Sequence, residues 1–360
     1  MDLFLPILSF LGGFVLVALT LISAVRTFIL PRGAPDPLVR NVFLAIRFIF
    51  DLLARRMRSY ASLDNLMAYY APVGSLLLLP AWLILVNLGF TAMYWALGDL
   101  TWFQAFRLSG SSLLTLGIAT SKGFILTNLQ FAEATFGLIL VALLIAYLPT
   151  IYAAFSRREA AVNMLEVRAG NPPSAVEMLK RYHRIHGLDR LNEVWQTWET
   201  WFADMEESHT TFAMLVFFRS PQPDHSWVTA AGAVLDTAAL TLAAIDVPFD
   251  PQAALCLRAG YLALRRIADF FHIPYTPDPH YPDQDISLTQ QAFDQALNAL
   301  DNAGLPLKSD RQQAWLDFAG WRVNYDSNLL AMANLVLVPP APWISEHELP
   351  PFQASFWKKK

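Results

Sequence analysis

The sequence contains few charged residues for its length. Only 16% of its 360 residues are charged, whereas 55% are hydrophobic, and soluble domains usually carry roughly 25% charge. One water-soluble core cannot accommodate such an apolar excess, which predicts membrane-spanning segments together with one globular domain. The net charge of −4 disfavours a nucleic-acid partner, because such partners select basic surfaces.

Cysteine and the common catalytic patterns are also scarce. Cys256 is the one cysteine of the sequence, which excludes an intrachain disulfide and a thiolate zinc site. There is no GxGxxG stretch, no phosphate-binding loop, and no nucleophile–base or paired-carboxylate arrangement that indicates catalysis. We therefore expect a protein that is not an enzyme and that has neither a cofactor nor a metal site.

Three uncharged stretches are long enough to cross a bilayer. They cover residues 3–25, 65–98 and 134–156, and a crossing helix needs about 20 apolar residues. The first stretch follows Asp2 and reaches no basic residue before Arg26. Because a signal peptide begins with positive charge, we interpret this stretch as a retained transmembrane helix.

Basic residues beside these stretches predict the orientation of the chain. Residues 26–70 contain seven arginines and residues 157–168 contain three, whereas residues 99–126 contain only Arg107 and Lys122 as basic residues. Positive charge accumulates on the cytoplasmic side. We therefore expect a multi-pass protein of the cell (inner) membrane, with its N-terminus outside and its C-terminal domain in the cytoplasm.

The connection between the second and third stretches contains another uncharged run, residues 108–121. It is too short to span and too apolar for an ordinary loop, which is typical of a re-entrant segment. Thr101 can cap a short helix ending near Thr115, and Gly117 favours an extended strand after it. Such a helix directs its negative dipole end at a cation, and the following carbonyls can replace the water around that ion. One copy supplies one wall of a pore, so a pore requires several copies, usually four. The alternative interpretation of this re-entrant segment is a short interfacial helix followed by a surface loop.

The order of span, short helix, Thr-Leu-Gly and span resembles the pore module of the potassium-channel superfamily, over roughly residues 70–157. The filter of that family reads Thr-Val-Gly-Tyr-Gly-Asp. The residues at its six positions are, in order, Thr115, Leu116, Gly117, Ile118, Ala119 and Thr120. The resemblance implies a homotetramer that conducts monovalent cations, with residues 115–119 as the filter.

Two filter positions depart from the family. The family's second glycine adopts φ > 0, which costs a residue with a Cβ about 1–2 kcal/mol, so Ala119 is expected to leave its carbonyl outside the ion path. Fewer carbonyl rings weaken discrimination between K⁺ and Na⁺. We expect the pore to conduct K⁺, and the sequence also allows conduction of Na⁺.

Thr120 and Lys122 are placed at the outer mouth, where a pore-lining Lys122 would favour an anion pathway instead. Glu133 could pair with Lys122 or Arg107.

The last span carries features that the resemblance associates with a gate. Gly137 and Pro149 can bend a helix, although membrane helices also tolerate both residues without any gating role. The small residues that could face the axis near its inner end are Ala146, Thr150 and Ala153.

Residues 40–58 have the amphipathic pattern of a helix lying in the membrane interface, with arginines at its edge. A fourth crossing here is disfavoured, because it would place Arg47 and Asp51 in mid-bilayer.

The second half of the chain predicts helices without alternating strands. Trp195, Trp198, Trp201 and Phe202 form an aromatic stripe at helical spacing, which predicts a packed core. An acidic group with a histidine follows this stripe: Asp204, Glu206, Glu207 and His209. We interpret it as a solvated helix end, with a divalent-cation sensor as the alternative. The sequence suggests no role for the segment Arg219–Pro221.

The sequence therefore predicts an all-α membrane protein with three transmembrane helices, a re-entrant pore helix and filter, and an α-helical cytoplasmic domain. The parts are an N-terminal transmembrane helix (1–30), an interfacial segment (31–69), the pore module (70–157) and the cytoplasmic domain (158–360). We expect a tetrameric cation channel whose partners are the lipid bilayer, further copies of itself and monovalent cations. A non-conducting signalling or scaffold protein with a degenerate pore loop is the alternative. The gating stimulus does not follow from the sequence.

Overall fold

The computed structural model describes residues 4–30, 36–57, 59–97 and 100–344. The described residues are 75% helical and contain no strand, which confirms the all-α class. Within these described ranges, four helical segments are long and apolar enough to cross a membrane: Phe4–Phe28, Tyr60–Leu97, Phe124–Ala169 and Trp227–Ala244. These segments are compatible with a multi-pass membrane protein.

The helices of the described residues are, in chain order, α1 (Phe4–Phe28), α2 (Pro37–Ala54), α3 (Tyr60–Met67), α4 (Tyr70–Leu97), α5 (Trp102–Leu113), α6 (Phe124–Ala169), α7 (Ala175–Arg184), α8 (Leu191–Thr211), α9 (Trp227–Ala244), α10 (Pro251–Phe270), α11 (Gln290–Asp301), α12 (Arg311–Arg322) and α13 (Asp326–Val336). Two short 3₁₀ helices, Leu188–Arg190 and Ala213–Phe217, flank α8. The chain divides into two compact units, and α6 passes from the first unit into the second after residue 153. The first unit comprises residues 1–58 and 66–153, and the second comprises residues 59–65 and 154–360.

In the first unit, α1 and α4 pack closely against each other. The Ser9 hydroxyl donates to the Ala92 carbonyl at 3.1 Å, and Trp82 Nε1 donates to Ser23 Oγ at 3.1 Å, so the two helices run antiparallel. A Cβ at Gly13 would lie 2.4 Å from the carbonyl oxygen of Gly89. Small residues permit this close backbone approach, as they commonly do between membrane helices.

Helix α2 differs from its sequence prediction at Arg47. This residue was expected at the edge of the apolar face, but it is buried beside Tyr70 and is paired with Asp51 at 2.9 Å. The opposite side of α2 exposes apolar side chains, including Phe48 and Ile49. The arginine can lie inside because its aliphatic stem packs with the neighbouring apolar residues while Asp51 neutralises its charge.

The second unit is a helical bundle with α9 at its centre. Every residue of α9 except Leu242 is buried, and α9 contacts α7, α10, α12 and α13. Its apolar composition therefore serves a protein core in this unit, although it also satisfies the length and composition expected of a membrane span. The predicted aromatic stripe, Trp195 to Phe202 on α8, is buried as well, which confirms its assignment to the core.

A buried ion-pair cluster joins α9 to α12 and α13. Arg322 Nη1 donates to Asp236 Oδ1 at 2.7 Å, and Arg322 Nε donates to Asp326 Oδ1 at 2.8 Å. The Tyr325 hydroxyl also donates to Asp236 at 2.7 Å. Because each buried charge has a partner, the cluster avoids the large penalty of an isolated one.

Candidate functional site

The short helix predicted after Thr101 is present as α5. The Thr101 hydroxyl accepts from the Gln104 amide at 3.3 Å, and the Gln104 side chain accepts from the Thr101 amide at 2.9 Å. This reciprocal capping satisfies two amides at the helix start. Helix α5 ends at Leu113, two residues before Thr115, as the sequence predicted.

The backbone after α5 adopts left-handed conformations at two alternate positions. Thr115 has φ = +55° and Gly117 has φ = +68°, so the segment is not the simple extended strand that we expected. Thr115 is the left-handed cap of α5, with its amide donating to the Ser112 carbonyl at 3.0 Å. His186 and His272 end α7 and α10 in the same conformation. The Leu116 amide donates to the Ser111 carbonyl at 2.8 Å, which keeps this turn against the end of α5.

Ser111 of α5 holds the next part of the segment through Ala119. Its hydroxyl accepts from the Ala119 amide at 2.9 Å and donates to the Ala119 carbonyl at 3.1 Å. Ala119 does not have positive φ, unlike the glycine expected at this position of the family's filter. The Ala119 carbonyl therefore already has a donor within the chain.

The end of the segment is bound to both α5 and α6 through Gln130. The Ser121 hydroxyl donates to Gln130 Oε1 at 2.8 Å, and Gln130 Nε2 donates to Ser112 Oγ at 3.2 Å. Sequence reasoning missed these serines and Gln130. The signal that could have found them is the run of three serines and one glycine at 109–112, because four consecutive small or polar residues cannot all face lipid.

The side chains of the same segment point away from this polar network. Leu114, Leu116 and Ile118 are 52%, 56% and 66% exposed in the single chain. Thr120 and Lys122, assigned to the outer mouth, are exposed too. The backbone is therefore held from behind, while an apolar surface remains uncovered in front.

Glu133 does not pair with Lys122 or Arg107, so that prediction is wrong. Its carboxyl is completely buried and accepts from the Ser109 hydroxyl, and from the Tyr94 hydroxyl at 2.8 Å. Hydroxyl donors from two neighbouring helices reach this position, whereas both cationic side chains belong to exposed parts of the surface.

Gly137 lies one turn further along α6 than Glu133. A Cβ at Gly137 would lie 2.3 Å from the Leu113 carbonyl oxygen. The glycine thus permits the end of α5 to approach α6. This contact gives Gly137 a packing role beside the gate or hinge role that the resemblance implies.

The four inner residues assigned to the gate share one side of α6. Ala146, Pro149, Thr150 and Ala153 are all exposed, and their spacing of three, four and seven residues places them on one face. The Thr150 hydroxyl donates to the Tyr147 carbonyl at 2.7 Å. Helix α6 continues through Pro149 to Ala169 without a break.

In the second unit, the acidic group at the end of α8 is divided among different partners. Asp204 pairs with Arg157 at 3.2 Å, Glu206 pairs with Arg266, and His209 is buried. No group of metal-ligating side chains occurs among the described residues. The divalent-cation alternative therefore has no support from the geometry of this helix end.

His209 lies beside the buried guanidinium of Arg158. Arg158 Nη1 contacts His209 Nε2 at 3.2 Å, and His209 Nδ1 donates to the Met205 carbonyl at 2.8 Å. Burial, together with the charge of Arg158, lowers the pKa of His209 well below its ordinary value. Arg158 also pairs with Glu159 at 2.8 Å and donates to the Leu215 carbonyl at 2.8 Å, which fixes the last part of α6 within the second unit.

Arg219, for which the sequence suggested no role, fastens residues 59–65 to the second unit. It binds the Asp64 carboxylate and donates to the Tyr60 hydroxyl at 3.2 Å. It also donates to the carbonyls of Val336 and Leu337 at 2.5 and 3.1 Å. The five donors of a guanidinium suit such a cluster of acceptors.

Comparison with known proteins gives no match. No protein-family model, no curated protein and no solved structure aligns significantly with this chain.

Proposed function

We propose that the protein is a homotetrameric pore-loop cation channel of the cell membrane that conducts K⁺. One observation carries the proposal: a capped short helix between two apolar helices ends in a segment, residues 114–121, whose backbone is bound back to that helix through Ser111. The left-handed residues are not peculiar to this segment, since His186, His272 and Leu337 end other helices of the chain in the same conformation, so the proposal depends on the place of this helix end between two apolar helices. In a pore, that backbone turns carbonyl groups toward the ion.

The polar network behind the segment supports the same function. Carbonyls replace the water around an ion in such filters, and hydrogen bonds behind the backbone fix the positions of those carbonyls. Ser111, Ser112 and Gln130 supply this support from two helices. The C-terminal end of α5 adds the negative end of its dipole to the same place.

The uncovered surfaces of the single chain favour a tetramer. Leu116 and Ile118 would be covered by neighbouring copies of the filter segment, and the exposed face containing Ala146 and Ala153 would line the inner pore where helices converge. Small residues permit that convergence. An isolated monomer would leave both surfaces without a partner.

The proposed topology uses three crossings, by α1, α4 and α6. The N-terminus lies outside, and the second unit lies in the cytoplasm and modulates the pore. Helix α9 is not a crossing, because its sides are covered by other helices of the second unit. The arginine-rich segments before α4 and after the span of α6 support this orientation.

Selectivity for K⁺ over Na⁺ is expected to be weaker than in a filter with two glycines. The Ala119 carbonyl already accepts a hydrogen bond from Ser111, which leaves fewer carbonyls for the ion. The same observation favours the second candidate function, a non-conducting membrane scaffold or signalling protein. Ion flux into liposomes containing the purified full-length protein separates the two functions.

Substitution of a filter glycine provides the sharpest test. Gly117→Ala should abolish K⁺ flux, because alanine disfavours φ = +68° while its methyl group meets no atom within 4 Å. Gly123→Ala is the matched control: Gly123 also has positive φ, +112°, and open space around it, but it lies outside the filter. K⁺ flux near the wild-type rate in both variants would show that residues 115–119 do not line the pore.

Reversal potentials in asymmetric K⁺ and Na⁺ then define the permeant ion. A K⁺ preference supports the proposal in full, equal permeability removes the potassium assignment, and an anion-selective potential places Lys122 in the pathway instead.

A further inference from the structure

Glu133 differs from every other buried carboxyl group among the described residues. Four buried acidic residues pair with arginine: Asp64 with Arg219, Glu159 with Arg158, and Asp236 and Asp326 with Arg322. Glu133 is equally buried, but its partners in the described structure are the hydroxyls of Ser109 and Tyr94. An acidic side chain without a cation in an apolar helix is costly, and in membrane segments such residues usually serve function.

The two hydroxyl partners place Glu133 at the meeting point of three helices. Tyr94 belongs to α4, Ser109 belongs to α5 and Glu133 belongs to α6. The Ser109 hydroxyl also lies 3.0 Å from the Asn87 carbonyl of α4. One carboxyl group therefore joins α5 to both of the helices that we propose as the walls of the pore module.

Neighbouring positions on α6 extend this contact along α5. Gln130, one turn before Glu133, binds Ser112 and Ser121, and Gly137, one turn after it, receives the end of α5 at Leu113. Gln130, Glu133 and Gly137 thus form one face of α6 that runs along the pore helix to the filter segment. Glu133 is the central residue of this face and is 0% exposed.

We propose that Glu133 is a positioning residue for the ion pathway: it locks α5 between α4 and α6 and thereby fixes the placement of Thr115 and Gly117. It acts through its hydrogen bonds to Ser109 and Tyr94, without touching the ion. This inference rests on the proposed function for its effect on conduction, whereas its effect on the backbone of residues 114–121 is independent of conduction.

The test compares Glu133→Gln with Glu133→Leu in the full-length protein. Glutamine keeps the shape and can still bond both hydroxyls, accepting from one through its oxygen and donating to the other through its NH₂ group, whereas leucine keeps a similar volume and makes no hydrogen bond. Amide hydrogen exchange of residues 114–121 should rise about tenfold in Glu133→Leu, in line with the loss of buried hydrogen bonds, and should stay near the wild-type rate in Glu133→Gln. Exchange of α9 amides should not change in either variant, which controls for general unfolding.

Reversal potentials in asymmetric K⁺ and Na⁺ give the second measurement. Glu133→Leu should reduce the K⁺/Na⁺ permeability ratio, and Glu133→Gln should retain it. Tyr94→Phe and Ser109→Ala each remove one bond and should shift exchange and selectivity in the same direction by a smaller factor. These two milder variants carry the test if Glu133→Leu does not fold.

Two outcomes overturn the inference. Wild-type exchange in the leucine variant and in both single-bond variants would show that the hydrogen bonds do not position the segment. Loss of selectivity in the glutamine variant equal to that in the leucine variant would show that a negative charge, rather than the bonds, is required. If the wild-type protein carries no ion flux at all, the proposed function fails, and the exchange measurement still decides whether Glu133 positions residues 114–121.

Discussion

Helices α1 and α9 have similar apolar compositions but opposite surroundings. Both are long and apolar enough to cross a membrane, yet 17% of the most apolar part of α1 is buried against 94% of that of α9. Helix α1 exposes large apolar side chains such as Leu11 and Phe14, whereas α9 is enclosed by four helices of the second unit. The hydropathy of a helix thus measures how strongly its side chains avoid water. The neighbouring helices decide whether protein or lipid surrounds those side chains.

The largest effect that tests this comparison is expected from the ion-pair cluster of α9. Asp236→Leu should destabilise the second unit by about 3–5 kcal/mol, because Arg322 then keeps a buried charge with one partner fewer. Thermal or denaturant unfolding of the purified protein measures the change. A loss below about 1 kcal/mol would contradict the interior position of α9, since exposed ion pairs contribute about that much.

Matched leucine truncations compare the two helices directly. Leu240 of α9 is 0% exposed and Leu11 of α1 is 54% exposed. Leu240→Ala should cost about 2–5 kcal/mol of unfolding free energy through the cavity that it leaves, while Leu11→Ala should cost less than about 1 kcal/mol. Equal losses in the unfolding free energy of the two variants would refute the distinction between a core helix and an exposed one.

Arg219 tests whether residues 59–65 belong to the second unit. Arg219→Lys keeps the charge but cannot reach the four acceptors together, so we expect a loss of about 1–3 kcal/mol in the free energy of unfolding. Amide exchange of residues 60–65 should rise in this variant while that of α1 stays constant. Unchanged exchange at residues 60–65 would argue that another contact holds the segment.

The smallest effect concerns the pH dependence of the second unit. His209 is neutral when folded because its pKa is lowered, whereas in the unfolded chain its pKa is about 6.5. The contribution of His209 to the free energy of unfolding is therefore complete above pH 6.5. As the pH falls below 6.5, this contribution is lost by at most about 1.4 kcal/mol per pH unit. His209→Gln should flatten the unfolding free energy between about pH 6.5 and 5. An unaltered slope in this variant would assign the pH dependence to other groups.

Local sequence patterns predicted the elements around the candidate site well. Thr101 and Gln104 specify the start of α5 by capping chemistry that needs no tertiary partner, whereas the extended strand expected around Gly117 was wrong, because Gly117 has φ = +68°. The left-handed conformation of Thr115 was not predictable, because threonine has no intrinsic preference for positive φ. Only contacts such as those from Ser111 can hold it there.

Partners across the fold were the main failure of sequence reasoning. Glu133 was expected beside Lys122 or Arg107 because opposite charges attract, but hydroxyls of Ser109 and Tyr94 occupy its carboxyl oxygens. Arg47 was placed at the edge of α2 by its charge, yet it lies inside with Asp51. The charge of a residue does not show which side chains helix packing will bring within 3 Å of it.

The sequence by itself determined the helical class, the long apolar segments and the start and end of α5, because hydropathy, capping and glycine act over a few residues. The tertiary structure alone decided that α9 is enclosed, that Glu133 joins three helices and that Arg219 binds residues 59–65. These features depend on side chains up to 159 residues apart in the chain, and helix packing, rather than any local propensity, brings such residues together.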